Sequence, residues 1–230
     1  MTMRIFTDGS SRGNPGPGGW GAILEADGTV VELGGSEGHT TNNRMELAAA
    51  ANALEWAKGH GGAAAAVHSD SKYVVKGMTE WVAGWKRNGW KTAAKKDVGN
   101  RDLWERLAAA AGGLTVSWVH VDGHAGVPAN ERCDEIATMF ADGMSPELYS
   151  GPAKLYGVDL SSVRAAGPKK PSKKSSASPA YSYVSLVDGK AETHKTWAEC
   201  FARTRGVSGA RFKKAANEQE EKAILKEFLS

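Results

Sequence analysis

Four acidic residues stand where this chain could do chemistry. Asp8 ends the strand-like run 3–8 (MRIFTD), and Asp70 ends a second run, 64–70 (AAAVHSD). Glu46 falls in the first turn of a helical stretch that begins at Asn43. Asp134 falls in the first turns of another, which begins at Ala129. Strand ends and helix starts can converge at one edge of an α/β sheet. Four carboxylates brought together there would repel, and some would keep their protons unless cations bound. Oxygen-only ligands suit Mg²⁺ or Mn²⁺, which retain waters and bind phosphate oxygens. Two such ions about 3.5–4 Å apart can activate a water and stabilise the leaving oxygen of a phosphodiester. Taken singly, each acid also has a plainer reading as a turn former or cap, or, for Glu46, as a charge favoured by the helix dipole.

The elements that must position these acids follow from pattern. Strands are expected at 3–8, 19–26 (GWGAILEA), 29–35 (TVVELGG), 64–70 and 114–121 (LTVSWVHV), and helices at 43–58, 71–77, 79–87, 101–111 and 129–141. A meander followed by strand–helix–strand units gives an α/β domain with a mixed five-stranded sheet flanked by helices. Between the first two strands, residues 9–19 hold five glycines and two prolines. A plain hairpin needs only about two to five loop residues. The stretch is therefore expected to be a loop whose backbone something approaches closely.

The totals set limits. The chain has 230 residues and is 41% hydrophobic, enough for one domain plus a small second one. No run of about 18 apolar residues marks a membrane span, and the N-terminal MTMRIFTDG lacks a secretory pattern. Cys133 and Cys200 lie far apart, so a disulfide framework is not expected and a reducing, cytoplasmic setting fits. The net charge of +3 is unevenly spread. Residues 1–143 carry 14 Lys+Arg against 17 Asp+Glu, residues 144–180 carry 6 against 2, and residues 181–230 carry 9 against 7. A basic rear half suggests an acidic partner such as nucleic acid.

Composition divides the chain into residues 1–143, a linker at 144–180 and a module at 181–230. The stretch 167–180 (GPKKPSKKSSASPA) reads as disordered linker. Residues 144–166 read either as linker or as chain packing back on the first domain. The last fifty residues regain apolar content, with a strand near 181–187, a turn at Asp188-Gly189, a helix from about Thr196 and a last helix near 217–229. They suggest a small α/β module.

The motifs IFTDGSSRGNPGPGGWGAIL, TTNNRMELAAAANALE, HSDSKYVVKGMTEWVAGWKRNGWKTA, NRDLWERL and GHAGVPANERCDEIA resemble bacterial type 1 ribonuclease H, in family order and spacing. The resemblance covers nearly all of residues 1–143. It implies a ribonuclease H-like fold and an endonuclease that cleaves the RNA strand of RNA–DNA hybrids with two Mg²⁺ ions, leaving 5′-phosphate and 3′-hydroxyl ends. It implies that Asp8, Glu46, Asp70 and Asp134 hold the metal, and that His124 assists proton transfer or product release. Asn130 and Glu131 would orient substrate and water. The backbone of Ser10, Ser11 and Gly13 would reach ribose 2′-hydroxyls in the minor groove, with Asn42 as a second reader of them. Asn14, Thr41 and Arg44 would grip a phosphate of the DNA strand.

Residues 72–101 hold eight Lys+Arg against the two acids Glu80 and Asp97, with Trp81, Trp85 and Trp90 interleaved. Such a mixture suits a backbone-tracking surface and matches the family's basic protrusion. Lys72, Lys86, Arg87 and Lys91 are its expected phosphate contacts and Trp81 its channel lining, whereas Trp85 reads as core. Two positions depart from the family pattern: Lys72 stands where a Gln is common, and Asp122 where a Lys is usual.

The tail carries a second resemblance. Tyr183, the run 196–200 (TWAEC) and the run 209–214 (GARFKK) resemble the hybrid-binding, viroplasmin-like domain of eukaryotic ribonuclease H1. By that resemblance Tyr183, Trp197 and Phe212 would touch the DNA strand's sugars, and Lys213 and Lys214 its phosphates. A flexible linker of roughly 20 residues has an rms reach of about 25 Å, so tethering would raise the local concentration of hybrid. The expected partner is an RNA–DNA hybrid, the expected cofactor Mg²⁺ with Mn²⁺ as substitute, and the expected state a monomer with no obligate protein partner. The alternative is a non-catalytic hybrid-binding protein, or a nuclease of the same fold acting on DNA junctions or ends.

Overall fold

The structure, a computed structural model, describes residues 2–123, 127–161, 181–195, 197–204, 207, 211–215 and 217–229. The chain divides into two compact units, Met1–Pro168 and Lys169–Ser230.

In the first unit, strands β1 (Thr2–Ser11), β2 (Gly16–Ala26) and β3 (Thr29–Thr40) form an antiparallel meander. Helix α1 (Asn42–Gly59) then crosses over so that β4 (Ala64–Ser69) returns parallel to β1. Helix α2 (Lys72–Lys76), one π-helical turn (Gly77–Trp81), α3 (Val82–Arg87) and α4 (Arg101–Ala110) precede β5 (Thr115–His120), parallel to β4. Helix α5 (Pro128–Ala141) follows, and then a short β6 (Ser150–Pro152). The strand order is β5-β4-β1-β2-β3-β6.

The sheet thus has six strands where pattern gave five. The sixth comes from residues that read as linker or as chain packing back. Three residues are too few to show a period, yet β6 pairs antiparallel with the start of β3. What fixes it is a buried ion pair. Glu32 on β3 accepts from Arg132 Nε and Nη2 at 2.8 and 2.9 Å, from the Tyr149 amide at 3.0 Å and from the Tyr156 hydroxyl at 2.6 Å. Arg4 Nη1 donates to the Leu160 carbonyl at 2.6 Å. Residues 144–161 are therefore a strap on the first unit, and the part of the expected linker from 162 to 180 lies outside the described residues.

Period-2 alternation sends β1 side chains to two cores. Met3 and Ile5 join Leu24, Leu47, Leu54, Val67, Trp104 and Leu107 under α1 and α4. Phe6 joins Ile23, Val30, Val127, Cys133 and Leu160 under α5 and the strap.

The glycine-rich stretch is not the loop that was expected. β1 runs on to Ser11, β2 begins at Gly16, and only residues 12–15 form the tip. Packing explains much of the glycine. A Cβ at Gly19 would run into the backbone of Ala137 on α5, and one at Gly21 into the Cys133 carbonyl. On the other face, a Cβ at Gly9 would strike the backbone of Met45 and Glu46. Glycine lets α1 press directly onto β1 and α5 onto β2.

The second unit is a three-stranded antiparallel sheet, β8-β7-β9, built from β7 (Ser182–Val187), β8 (Lys190–His194) and β9 (Arg211–Ala215). Helices α6 (Trp197–Thr204) and α7 (Glu218–Leu229) accompany it, and Val184, Ala215, Ile224 and Phe228 form its core. Strand β9 coincides with the run that was read as a binding motif.

Candidate active site

Asp8 sits on β1, whose pairing to β2 and β4 places its side chain at the sheet's centre. Glu46 enters from the first turns of α1, and Asp70 follows β4 directly. One carboxylate oxygen from each of these three lies within 4.8 Å of the others. Asp8 and Glu46 are each only 5% exposed, while Asp70 is half-buried. Asp134, on α5, lies outside that tight triad. Its charge still acts on both Asp8 and Glu46.

The electrostatics follow from this geometry. Burial, then the charges of Asp70 and Asp134, push the Asp8 carboxyl up to about 8, against a pull downward from the Gly9 amide. Burial, then Asp8, Asp70 and Asp134, raise Glu46 well above the carboxylate range. Hydrogen bonds orient the groups without neutralising them. The Gly9 amide donates to Asp8 Oδ1 at 2.7 Å, Asn130 Nδ2 to Asp8 Oδ2 at 3.4 Å, and Asn42 Nδ2 to Glu46 Oε1 at 3.5 Å. Glu46 Oε2 is buried with no partner. An all-oxygen set with an orphaned carboxylate oxygen and suppressed ionisation fits a hard divalent cation, so the residues present suit the metal that the motifs imply.

The other expected site residues fall into groups. Asn130 is buried and bonded to Asp8, and Asn42 is exposed beside Glu46. Ser10, Ser11, Gly13 and Asn14 lie along the end of β1 and the hairpin tip, with Thr138 Oγ1 donating to Ser10 Oγ at 3.5 Å. Thr41 caps α1 through its carbonyl, which accepts from the Arg44 amide at 3.0 Å. Arg44 is held by the Asp102 carboxylate at 3.0 and 2.8 Å. His124 lies outside the described residues. The preceding Gly123 passes so near Asp70 that a Cβ there would collide with its carboxylate. That tight passage is visible only in three dimensions.

In the basic segment, Lys72, Lys86 and Arg87 are exposed, whereas Lys91 pairs with Asp97 at 2.5 Å. Trp81 is half-buried against Tyr73 and Trp85, at ring separations of 6.1 and 5.7 Å. Trp85 stacks edge-on to the buried Trp104 at 5.5 Å, as a core residue does. Arg12, given no role by the motif that contains it, stands at the hairpin tip. It is paired through Nε and Nη2 with Asp142, at 2.5 and 2.6 Å.

In the second unit, Tyr183 and Phe212 lie on one face of the sheet, because Tyr183 opposes Lys214 and Ser185 opposes Phe212. Phe212 is 52% exposed. Lys213 points to the opposite face, where its ammonium donates to both oxygens of Glu227 on α7, at 2.6 and 2.8 Å. The structure therefore separates Lys213 from the aromatic pair it was expected to join. The side chains of Trp197 and Lys214 lie outside what the structure describes.

The RNase H family model matches residues 1–142. Ribonuclease H of Cyanothece sp. is 52% identical over 146 residues, spanning 63% of this chain and 92% of that protein. Ribonuclease H of Aromatoleum aromaticum is 55% identical over 142 residues, 62% of this chain and 92% of that one. Among solved structures, LC9-RNase H1, a type 1 RNase H, superposes with a TM-score of 0.58 at 33% identity, covering 66% of this chain and 79% of that one. The N-terminal RNase H domain of a Mycobacterium tuberculosis protein gives a TM-score of 0.50 at 30% identity, covering 62% and 94%.

Proposed function

The chain belongs to the ribonuclease H family and hydrolyses the RNA strand of RNA–DNA hybrids, and we propose that it does so at Asp8, Glu46, Asp70 and Asp134 with two Mg²⁺ ions. Mn²⁺ is the substitute, and the products carry 5′-phosphate and 3′-hydroxyl ends. The observation that carries this reading is the buried triad with its unpartnered Glu46 oxygen.

Divalent ions bound there supply Lewis acidity toward the phosphodiester and its attacking water. The chain's own groups do the rest. Asp8 and Glu46 hold protons in the free site and release them when positive charge arrives, so the site is neutral enough to fold and anionic enough to bind. Asn130 and the Gly9 amide fix the Asp8 carboxylate from two sides. The backbone of Ser10, Ser11 and Gly13, with Asn42, reads the ribose 2′-hydroxyls that distinguish RNA from DNA. Asn14, Thr41 and Arg44 grip a DNA-strand phosphate, and Lys72, Trp81, Lys86, Arg87 and Lys91 track the backbone beyond it. His124 serves proton transfer or product release. Residues 181–230 bind the hybrid a second time, with Tyr183, Trp197 and Phe212 toward the DNA strand's sugars and Lys213 and Lys214 toward its phosphates. The protein acts as a monomer.

The test is a panel of end-labelled duplexes: hybrid, DNA–DNA and RNA–RNA, each with Mg²⁺ or with EDTA. Cleavage confined to the hybrid's RNA strand, with 5′-phosphate ends and abolished by EDTA, is expected. Binding of the hybrid without cleavage in either metal would return the chain to the class of hybrid-binding proteins.

A further inference from the structure

Arg44 offers an exposed guanidinium fork two residues before Glu46, on the first turn of the helix that delivers that acid to the site. The fork is already filled. Nη1 and Nη2 donate to the two oxygens of Asp102, 58 residues further along the chain, at 3.0 and 2.8 Å, and Glu37 stands 3.9 Å from Nε. A carboxylate meeting a guanidinium through two parallel bonds presents the same planar, two-oxygen face as a phosphate. The pair is open to solvent, with 61% of the Asp102 side chain exposed and 27% of Arg44.

Asp102 is also held independently of Arg44. It lies in the first turn of α4, at the positive end of that helix. When the guanidinium leaves, the carboxylate keeps the positive end of the helix. An exposed pair of this kind is worth little, so exchanging Asp102 for an incoming phosphate is nearly even.

We propose that Asp102 is a built-in placeholder for a DNA-strand phosphate at Arg44, which holds the fork pre-aligned in the free enzyme and competes with the hybrid for it. The proposal rests on the reading of Arg44 as a phosphate contact. It makes Asp102 a positioning residue that trades affinity for alignment: without its charge, the fork is free and the local field more positive.

The experiment measures binding of a short labelled RNA–DNA hybrid to the full chain in EDTA across a salt series. The proteins are the wild type, Asp102→Asn, Arg44→Ala and the double variant. Asp102→Ser is carried alongside, so that loss of the charge is tested with two uncharged side chains of different size. Asp102→Asn is expected to bind about two- to fivefold tighter, with a log–log salt slope steeper by up to about 1. The gain should vanish in the Arg44→Ala background, as direct coupling requires. A gain that persists without Arg44 would reduce Asp102 to a general charge effect and overturn the placeholder. So would unchanged or weaker binding by both Asp102 variants in a protein whose Arg44→Ala form binds less well. Arg44→Ala binding as tightly as the wild type would instead remove the phosphate contact itself.

Discussion

Replacing Asp8 with Asn should make the metal-free protein more stable, and by an amount that grows with pH. In the unfolded chain Asp8 ionises near its ordinary 3.8; in the fold, burial and the charges of Asp70 and Asp134 hold its proton up to about 8. Between those values the folded state binds more protons than the unfolded state, so stability falls as pH rises, and no further loss accrues above the upper value. Each pH unit in that window costs about 1.4 kcal/mol, which sets a ceiling of about 4 kcal/mol at pH 7. Water reaching the half-buried Asp70, and protons shared with Glu46, reduce this to about 2 kcal/mol. Asn has nothing to titrate, and it keeps the acceptor for the Gly9 amide. Thermal unfolding in EDTA should show the variant level with the wild type near pH 4.5, and about 4–8 °C higher at pH 7.5. Saturating Mg²⁺ should narrow or reverse the gap, because only the wild type gains the full binding energy of the ions. A variant offset equal at both pH values would refute the reasoning, since it would mean that the Asp8 carboxyl is not held protonated by the fold.

Gly21→Ala should destabilise the protein by about 1–3 kcal/mol, because the methyl meets the Cys133 carbonyl and Ile136 on α5; urea unfolding at pH 7 measures it. Glu32→Gln leaves the Arg132 guanidinium without its buried counter-charge. Arg132 is 22% exposed and keeps Glu135 at 2.8 Å, so the loss should be about 1–3 kcal/mol and should expose the strap around Tyr149 and Tyr156 to protease before the sheet unfolds, which limited proteolysis with mass mapping would detect. Removing residues 167–230 should leave the cleavage pattern on a short hybrid unchanged while weakening binding and shortening runs of cuts on a long one. Undiminished processivity in the truncated protein would remove the tail from substrate binding.

How much of this was legible in the sequence depended on whether the signal was local. Asp8 and Asp70 could be placed because a carboxylate closing an apolar run announces a strand end, and Glu46 because its helix begins abruptly after a polar stretch. The glycines at 9–18 misled, because glycine marks a loop and a close-packed strand with the same letter; Gly19 and Gly21 fell in an expected strand, but only the helix above them shows them as packing sites. Glu32 reads as the polar member of an alternating strand, yet it is 3% exposed, because Arg132, Tyr149 and Tyr156 converge on it from about a hundred residues away. The short β6 had no period of its own and exists through that anchor. In the tail, the run ARFKK carried both a recognition motif and a strand, and the strand's alternation sends Lys213 to Glu227 and away from Phe212. Arg44 was legible as a cation beside the site, but its partner Asp102 was not, since nothing local joins two helix starts 58 residues apart.

The most direct test of the account is a carboxyl-carbon NMR titration of Asp8 in the metal-free protein and again with saturating Mg²⁺. A midpoint near 8 without metal, falling below about 5 once the ions are bound, is the predicted result. A midpoint near 4 in the metal-free protein would contradict it, because Asp8 would then be an ordinary solvated carboxylate and the buried triad would not be the poised cation site on which the proposed mechanism depends.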